Sequence, residues 1–173
     1  MNQVKFTHPE TGKTLYGQVA YTGHLSKEEQ PEEGFVLVDD AVLPTCYEVP
    51  EEVLTEIPFE MGTYDPKTHE WEGQDEYHTY IKNEFKKARE RSDALGDEFK
   101  PGKLFNTPVA DGRAYYVVTK VNKKTCDIEW RGFCPDRWTD SVLGLGGRFP
   151  RERIEQLVRS MDGLKRLFAG PNR

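Results

Sequence analysis

Between residues 130 and 138 the chain reads Trp130-Arg131-Gly132-Phe133-Cys134-Pro135-Asp136-Arg137-Trp138, a basic stretch interleaved with aromatic side chains. Guanidinium groups grip phosphate in a planar, bidentate way and flat rings give bases a stacking face, so the pattern suits a single-stranded nucleic-acid groove. The two tryptophans would equally serve to fill the core of a small barrel, which needs large side chains. Downstream, Gly144-Leu145-Gly146-Gly147 leads into Arg148 and a helix expected to open at Pro150, with Arg151 and Arg153 in its first turn. Backbone amides there, with those arginines, would hold a phosphate, although a plain flexible hairpin loop reads the same way. The loop lacks the G-x-x-x-x-G-K-[ST] pattern and the βαβ setting of a nucleotide-hydrolysing loop. The expected anion-binding set is therefore Trp130, Arg131, Arg137, Trp138, Arg148 and Arg151.

Other chemistry is weaker. Asp127 and Glu129 share one face of an expected strand, as the carboxylates of a metal-dependent nuclease would, and Asp136 with Asp140 makes a second pair. A lone D-x-E is common, and no lysine or further acid accompanies it on that strand. Cys134, between Arg131 and Arg137, is the thiol best placed for activation by positive charge, yet no histidine follows His78 to act as its base. A small buried thiol is the simpler reading. The spacing of Cys126 and Cys134 is too loose for a zinc knuckle, and His8, His24, His69 and His78 form no H-x3-H pair, so neither metal nor other cofactor is expected.

The net charge of -6 conceals an asymmetry: residues 1–100 hold 22 Asp and Glu against 10 Lys and Arg, whereas 101–173 hold 8 against 14. One half therefore suits an anionic surface and the other a basic partner, unless the acidic runs are solvated loops. Glu28, Glu29, Glu32 and Glu33 are the partner-binding candidates of the acidic half. Three widely spaced cysteines do not form a secreted disulfide framework, and no apolar stretch is long enough for a membrane span or a signal sequence. The expectation is a soluble, cytoplasmic protein with no membrane contact.

The elements that must position these residues are short. Strands are expected at 4–6, 15–21, 35–38 and 46–49, divided by Gly, Pro and Asp turns, with a helical or 3-10 turn after Pro50. Residues 61–73 read as a loop in which Trp71 is exposed or forms a lid. Tyr77, Ile81, Phe85 and Ala88 make one apolar stripe on a helix over 74–95, capped by Gly96. Strands return at 104–106, 114–121 and 125–130, the last two forming a hairpin. A terminal helix carries Ile154, Leu157, Val158, Met161, Leu164 and Phe168 at helical spacing, with a break expected near Gly163. Phe6-x-x-Pro9-x-x-Gly12 is weakly echoed by Phe105-x-x-Pro108-x-x-x-Gly112.

The fold class expected is mainly β with helices (α+β): two small SH3-like barrel or sheet modules bridged by an amphipathic helix. The divisions are an acidic β module at 1–60, a loop and bridging helix at 61–102, and a basic β module with a terminal helix at 103–173. The function expected is that of a non-enzymatic binding or adaptor protein whose second module meets an anionic surface, nucleic acid first. The alternatives are a protein-binding component or inhibitor that docks its acidic half on a basic partner, and a small metal-dependent hydrolase using Asp127 and Glu129.

Overall fold

The computed structural model describes residues 3–110, 112–133 and 141–168, the side chains of 162–168 excepted. Among these residues the chain is α+β, with eleven strands in three antiparallel sheets and two α-helices. It divides into two compact units, 1–83 and 84–173. No closed barrel forms among the described residues.

In the first unit, β1 (Gln3–Thr7), β2 (Thr14–Val19), β3 (Phe35–Asp40) and β4 (Cys46–Pro50) run as a meander. A 3-10 turn at Glu51–Val53 then returns the chain to β5 (Thr55–Glu56), which pairs with β1, giving the order β4-β3-β2-β1-β5. The strands follow the alternation of their side chains: Val4, Phe6, Val38 and Val49 turn inward to form the core, with Leu15, Val36, Tyr47 and Leu54 packed around them. Asp40 builds the β3–β4 turn by accepting the Val42 and Leu43 N–H groups, each at 2.8 Å. The expected loop at 61–73 instead contains a small hairpin, β6 (Thr63–Asp65) and β7 (Glu70–Glu72), in which Tyr64 and Trp71 pack at 5.3 Å and both stay exposed. The aromatic pair across the strands supplies what the Gly and Pro punctuation concealed.

Helix α1 (Glu76–Ala94) starts at Asp75, whose carboxylate accepts the His78 N–H at 2.8 Å as an N-cap. Within the first unit Tyr77 and Ile81 are buried, Tyr80 stacks on Tyr16 at 4.5 Å, and Glu76 pairs with Lys5 at 2.6 Å. Gly96 ends the helix at φ +59, and Lys103 Nζ donates to its carbonyl.

The second unit is a meander of β8 (Leu104–Val109), β9 (Gly112–Val121), β10 (Thr125–Arg131) and β11 (Gly146–Pro150), in the order β11-β10-β9-β8. Helix α2 (Arg151–Phe168) follows at once and packs on this sheet. Alternation along β9 and β10 sends Ala114, Tyr116, Val118, Cys126, Ile128 and Trp130 inward, where Phe105, Ile154 and Val158 complete the core. On the other face Phe85 packs against Tyr115 at 5.1 Å and Phe133 at 4.8 Å. The helix runs through Gly163 without the expected break. No helix among the described residues is long and apolar enough to cross a membrane.

Candidate anion-binding site

Strand β10 carries its charged side chains, Asp127, Glu129 and Arg131, on the face opposite the core, because Cys126, Ile128 and Trp130 occupy the alternate positions. Trp130 is 4% exposed and lies in the core, so in this fold its ring packs and offers no face to a base. Arg131 bonds Glu129 at 2.9 Å and the Trp130 carbonyl at 3.0 Å, with its side chain 17% exposed. Arg137 and Trp138, with Cys134, Asp136 and Asp140, lie outside the described residues.

Arg148 stands opposite Asp127 across the β10–β11 ladder and grips it with two bonds, Nε to Oδ1 at 2.7 Å and Nη2 to Oδ2 at 3.1 Å. These bonds hold the Asp127 carboxyl below, and the Arg148 guanidinium above, the ordinary value. Asp127 is therefore committed to an arginine. Arg151 opens α2, bonds Glu155 one turn on, and lies over the Phe99 ring at 5.7 Å. Its backbone N–H donates to the Lys124 carbonyl at 2.9 Å, which ties the β9–β10 turn to the start of the helix.

That tie gathers cations which the sequence pattern did not single out. Lys123 and Lys124 in the turn are exposed, Lys120 faces Asp127 across the ladder, and Arg153 lies over the Phe149 ring at 5.6 Å. Residues 120–127 and 148–155 together hold six cationic side chains against the three carboxylates Asp127, Glu152 and Glu155. No carboxylate among the described residues lies within ion-pair distance of Lys123 or Lys124. Arg131 is four residues along β10 from Asp127, about 13 Å at strand rise, and does not join this group. The missed signal was the Lys-Lys hairpin turn, which reads as turn punctuation until its register with β11 is known.

Within the glycine-rich loop the Gly144 and Gly146 amides are taken up by the chain itself. Gly144 N donates to Ser141 and Gly146 N to Leu143, while the Leu145 and Gly144 carbonyls accept from Trp130 N and the Tyr116 hydroxyl. The remaining glycine belongs to β11, where Gly147 pairs with Ile128. Loop amides engaged in this way are not presented to a phosphate.

The described thiols are held away from nucleophilic chemistry. Burial, and then the Asp39 carboxylate, push Cys46 up to about 11, and burial raises Cys126 with Asp127 and Glu155 adding to it. Among the described residues no three His, Cys, Asp or Glu side chains gather as a metal-holding group. Of the acidic candidates, Glu29 caps a local turn by accepting the Ser26 N–H at 3.0 Å and hydroxyl at 2.7 Å, which lowers its pKa. Glu28, Glu32 and Glu33 are exposed, and the Glu32 N–H donates to Glu48 at 3.0 Å. No protein-family model, no curated protein and no solved structure matches this chain.

Proposed function

We propose that this chain is a non-enzymatic binding protein whose second unit engages an anionic surface, nucleic acid first, through the basic end formed by the β9–β10 turn, β11 and the opening turn of α2. The observation that carries the reading is the clustering of Lys120, Lys123, Lys124, Arg148, Arg151 and Arg153 around the Arg151-to-Lys124 backbone bond. The charge of the unit agrees with it: residues 84–173 hold 19 Lys and Arg against 13 Asp and Glu, and residues 1–83 hold 5 against 17. The strand order of the first unit, with a 3-10 turn ahead of a fifth strand that returns to β1, supports reading that unit as a partly open SH3-like barrel. Raised thiols and a carboxylate committed to Arg148 favour binding over catalysis.

The test is titration of the full chain with single-stranded DNA, single-stranded RNA and duplex DNA of about twenty nucleotides across a salt series. Three or four phosphate contacts give a slope of log K against log salt of roughly -2 to -4. Lys123→Glu with Lys124→Glu should weaken binding about tenfold or more, since each reversal turns an attraction into a repulsion. Absence of binding at roughly 50 mM salt, or affinity unmoved by the double reversal, refutes the reading.

A further inference from the structure

The first unit carries an open seam whose two walls are strand edges. Its floor is Phe6 and Tyr47, edge to face at 5.7 Å, with Val49 beside them, and the groove above encloses about 620 Å³ between the end of β1 and the whole of β4. Strand β4 is the last in its sheet, so one side of its backbone meets no other strand among the described residues.

Hydrogen-bond parity shows which groups face the seam. Asp40 N donates to Thr45 O and Glu51 N to Gly34 O, so residues 45, 47, 49 and 51 address β3, and the amides of Cys46 and Glu48 and the carbonyls of Cys46, Glu48 and Pro50 point away from it. By the same parity His8 N donates to Lys13 O, so residues 4, 6 and 8 address β2. Thr7 therefore turns its backbone away from β2, past the two-residue reach of β5. Side chains alternate the other way: Tyr47 and Val49 face the floor, whereas Cys46 and Glu48 are exposed on the rim.

We infer that this seam takes an extended basic segment of a protein partner as an added strand along β4. The outward groups of Cys46, Glu48 and Pro50 span about 13 Å, which a segment of about five residues covers. Pairing fixes its pattern: apolar side chains at alternate positions rest on Phe6, Tyr47 and Val49, and the residues between them stand beside Glu48. The rim there is acidic, since Glu48 lies by Glu32, and the Glu51 backbone bonds Gly34 next to Glu33. Lys or Arg at the outward positions meets an opposite charge, and an acidic segment is repelled. This inference uses the first unit alone and does not depend on the basic end of the second.

The test uses the full chain and nine-residue peptides of alternating valine and lysine, of alternating valine and glutamate, and of the valine–lysine sequence N-methylated at every second amide. The lysine peptide should bind saturably and shift the backbone amide resonances of Thr7, Cys46 and Glu48. The N-methylated and glutamate peptides should bind at least about tenfold more weakly, since each loses either the strand pairing or the charge match. Glu48→Gln should weaken the lysine peptide about threefold or more. Glu48→Pro removes an outward N–H without touching the ladder to β3, a position proline tolerates in an edge strand, and should abolish binding while the Val38 and Val49 resonances persist. Equal binding of the N-methylated or glutamate peptide, shifts confined to other residues, or no binding at all overturns the inference. So does an apolar small molecule such as indole filling the groove while every peptide fails.

Discussion

The carboxylate of Asp75 sets an acid limit on the stability of the first unit. It is 7% exposed, and burial by itself raises its pKa. Four donors outweigh that: the Glu60 and His78 backbone N–H groups at 2.8 Å, His78 Nδ1 at 2.9 Å and Gln3 Nε2 at 3.2 Å, leaving it at about 2 from an ordinary 3.8. A folded-state pKa below the unfolded value means that the unfolded chain takes up the proton first. The stabilisation is therefore full above about pH 5 and is lost as pH falls towards 2. The shift amounts to about 2 kcal/mol. Asp75→Asn keeps the shape and removes the charge, placing an amide NH2 against groups that already donate, so it should cost about 2 to 3 kcal/mol at pH 7. At pH 2 to 2.5 the wild type has lost most of the same contribution, and the difference should shrink to about 1 kcal/mol or less. Urea unfolding followed by NMR at the Val38 and Val49 amides reads the first unit directly, and the contributions of other carboxylates cancel between wild type and variant. A cost that stays constant from pH 7 to pH 2.5, or one below about 0.5 kcal/mol at pH 7, refutes the argument.

Three further perturbations test the packing and the thiols. Gly146 sits at φ +110, where an added Cβ collides with the Ile128 carbonyl oxygen, so Gly146→Ala should cost about 3 kcal/mol in urea unfolding and detach β11 from β10. Phe105 is 0% exposed and stacks on Tyr116 at 5.6 Å, so Phe105→Ala should cost about 4 kcal/mol, measured by the same unfolding. Cys46 is exposed but holds its proton to about 11, so iodoacetamide should modify it slowly at pH 8, with the rate climbing steeply to pH 11; Asp39→Asn should speed the reaction at pH 8.

The parts of this fold that were legible in the sequence were those set by periodicity. The stripe of Tyr77 and Ile81 and the alternation of Ala114, Tyr116 and Val118 each put apolar side chains on one face, and local pattern suffices for that. Strand β11 was hidden because two glycines argue against a strand; Gly146 is there because β10 approaches too closely for a side chain, a tertiary cause invisible in one segment. Helix α2 passes through Gly163 because a single glycine costs only about 1 kcal/mol against alanine, less than the packing of Ile154 and Val158 returns. The candidate site was legible only as an excess of charge. Which cations meet depends on register, so Lys123 and Lys124 were missed and Arg131 was grouped with Arg148, from which the length of β10 separates it.

Pairing, more than composition, decides what the basic end can recognise. Arginine is the residue that reads planar acceptors in bidentate fashion, yet Arg148 already uses its fork on Asp127, Arg131 is covered and bonded to Glu129, and Arg151 is engaged by Glu155. The exposed cations of this end that form no ion pair with a carboxylate among the described residues are Lys120, Lys123, Lys124 and Arg153; three are lysines, compact point charges on flexible stems, and the guanidinium of Arg153 lies over the Phe149 ring. Lysine matches a phosphate in many orientations and discriminates poorly among base edges. An anionic ligand at this end is therefore held by backbone charge and not by sequence, so exchanging one single-stranded sequence for another should change affinity far less than doubling the salt does. Recruiting Arg148 to a phosphate would require it to exchange one anion for another, a swap whose gain is only the difference between the two pairs.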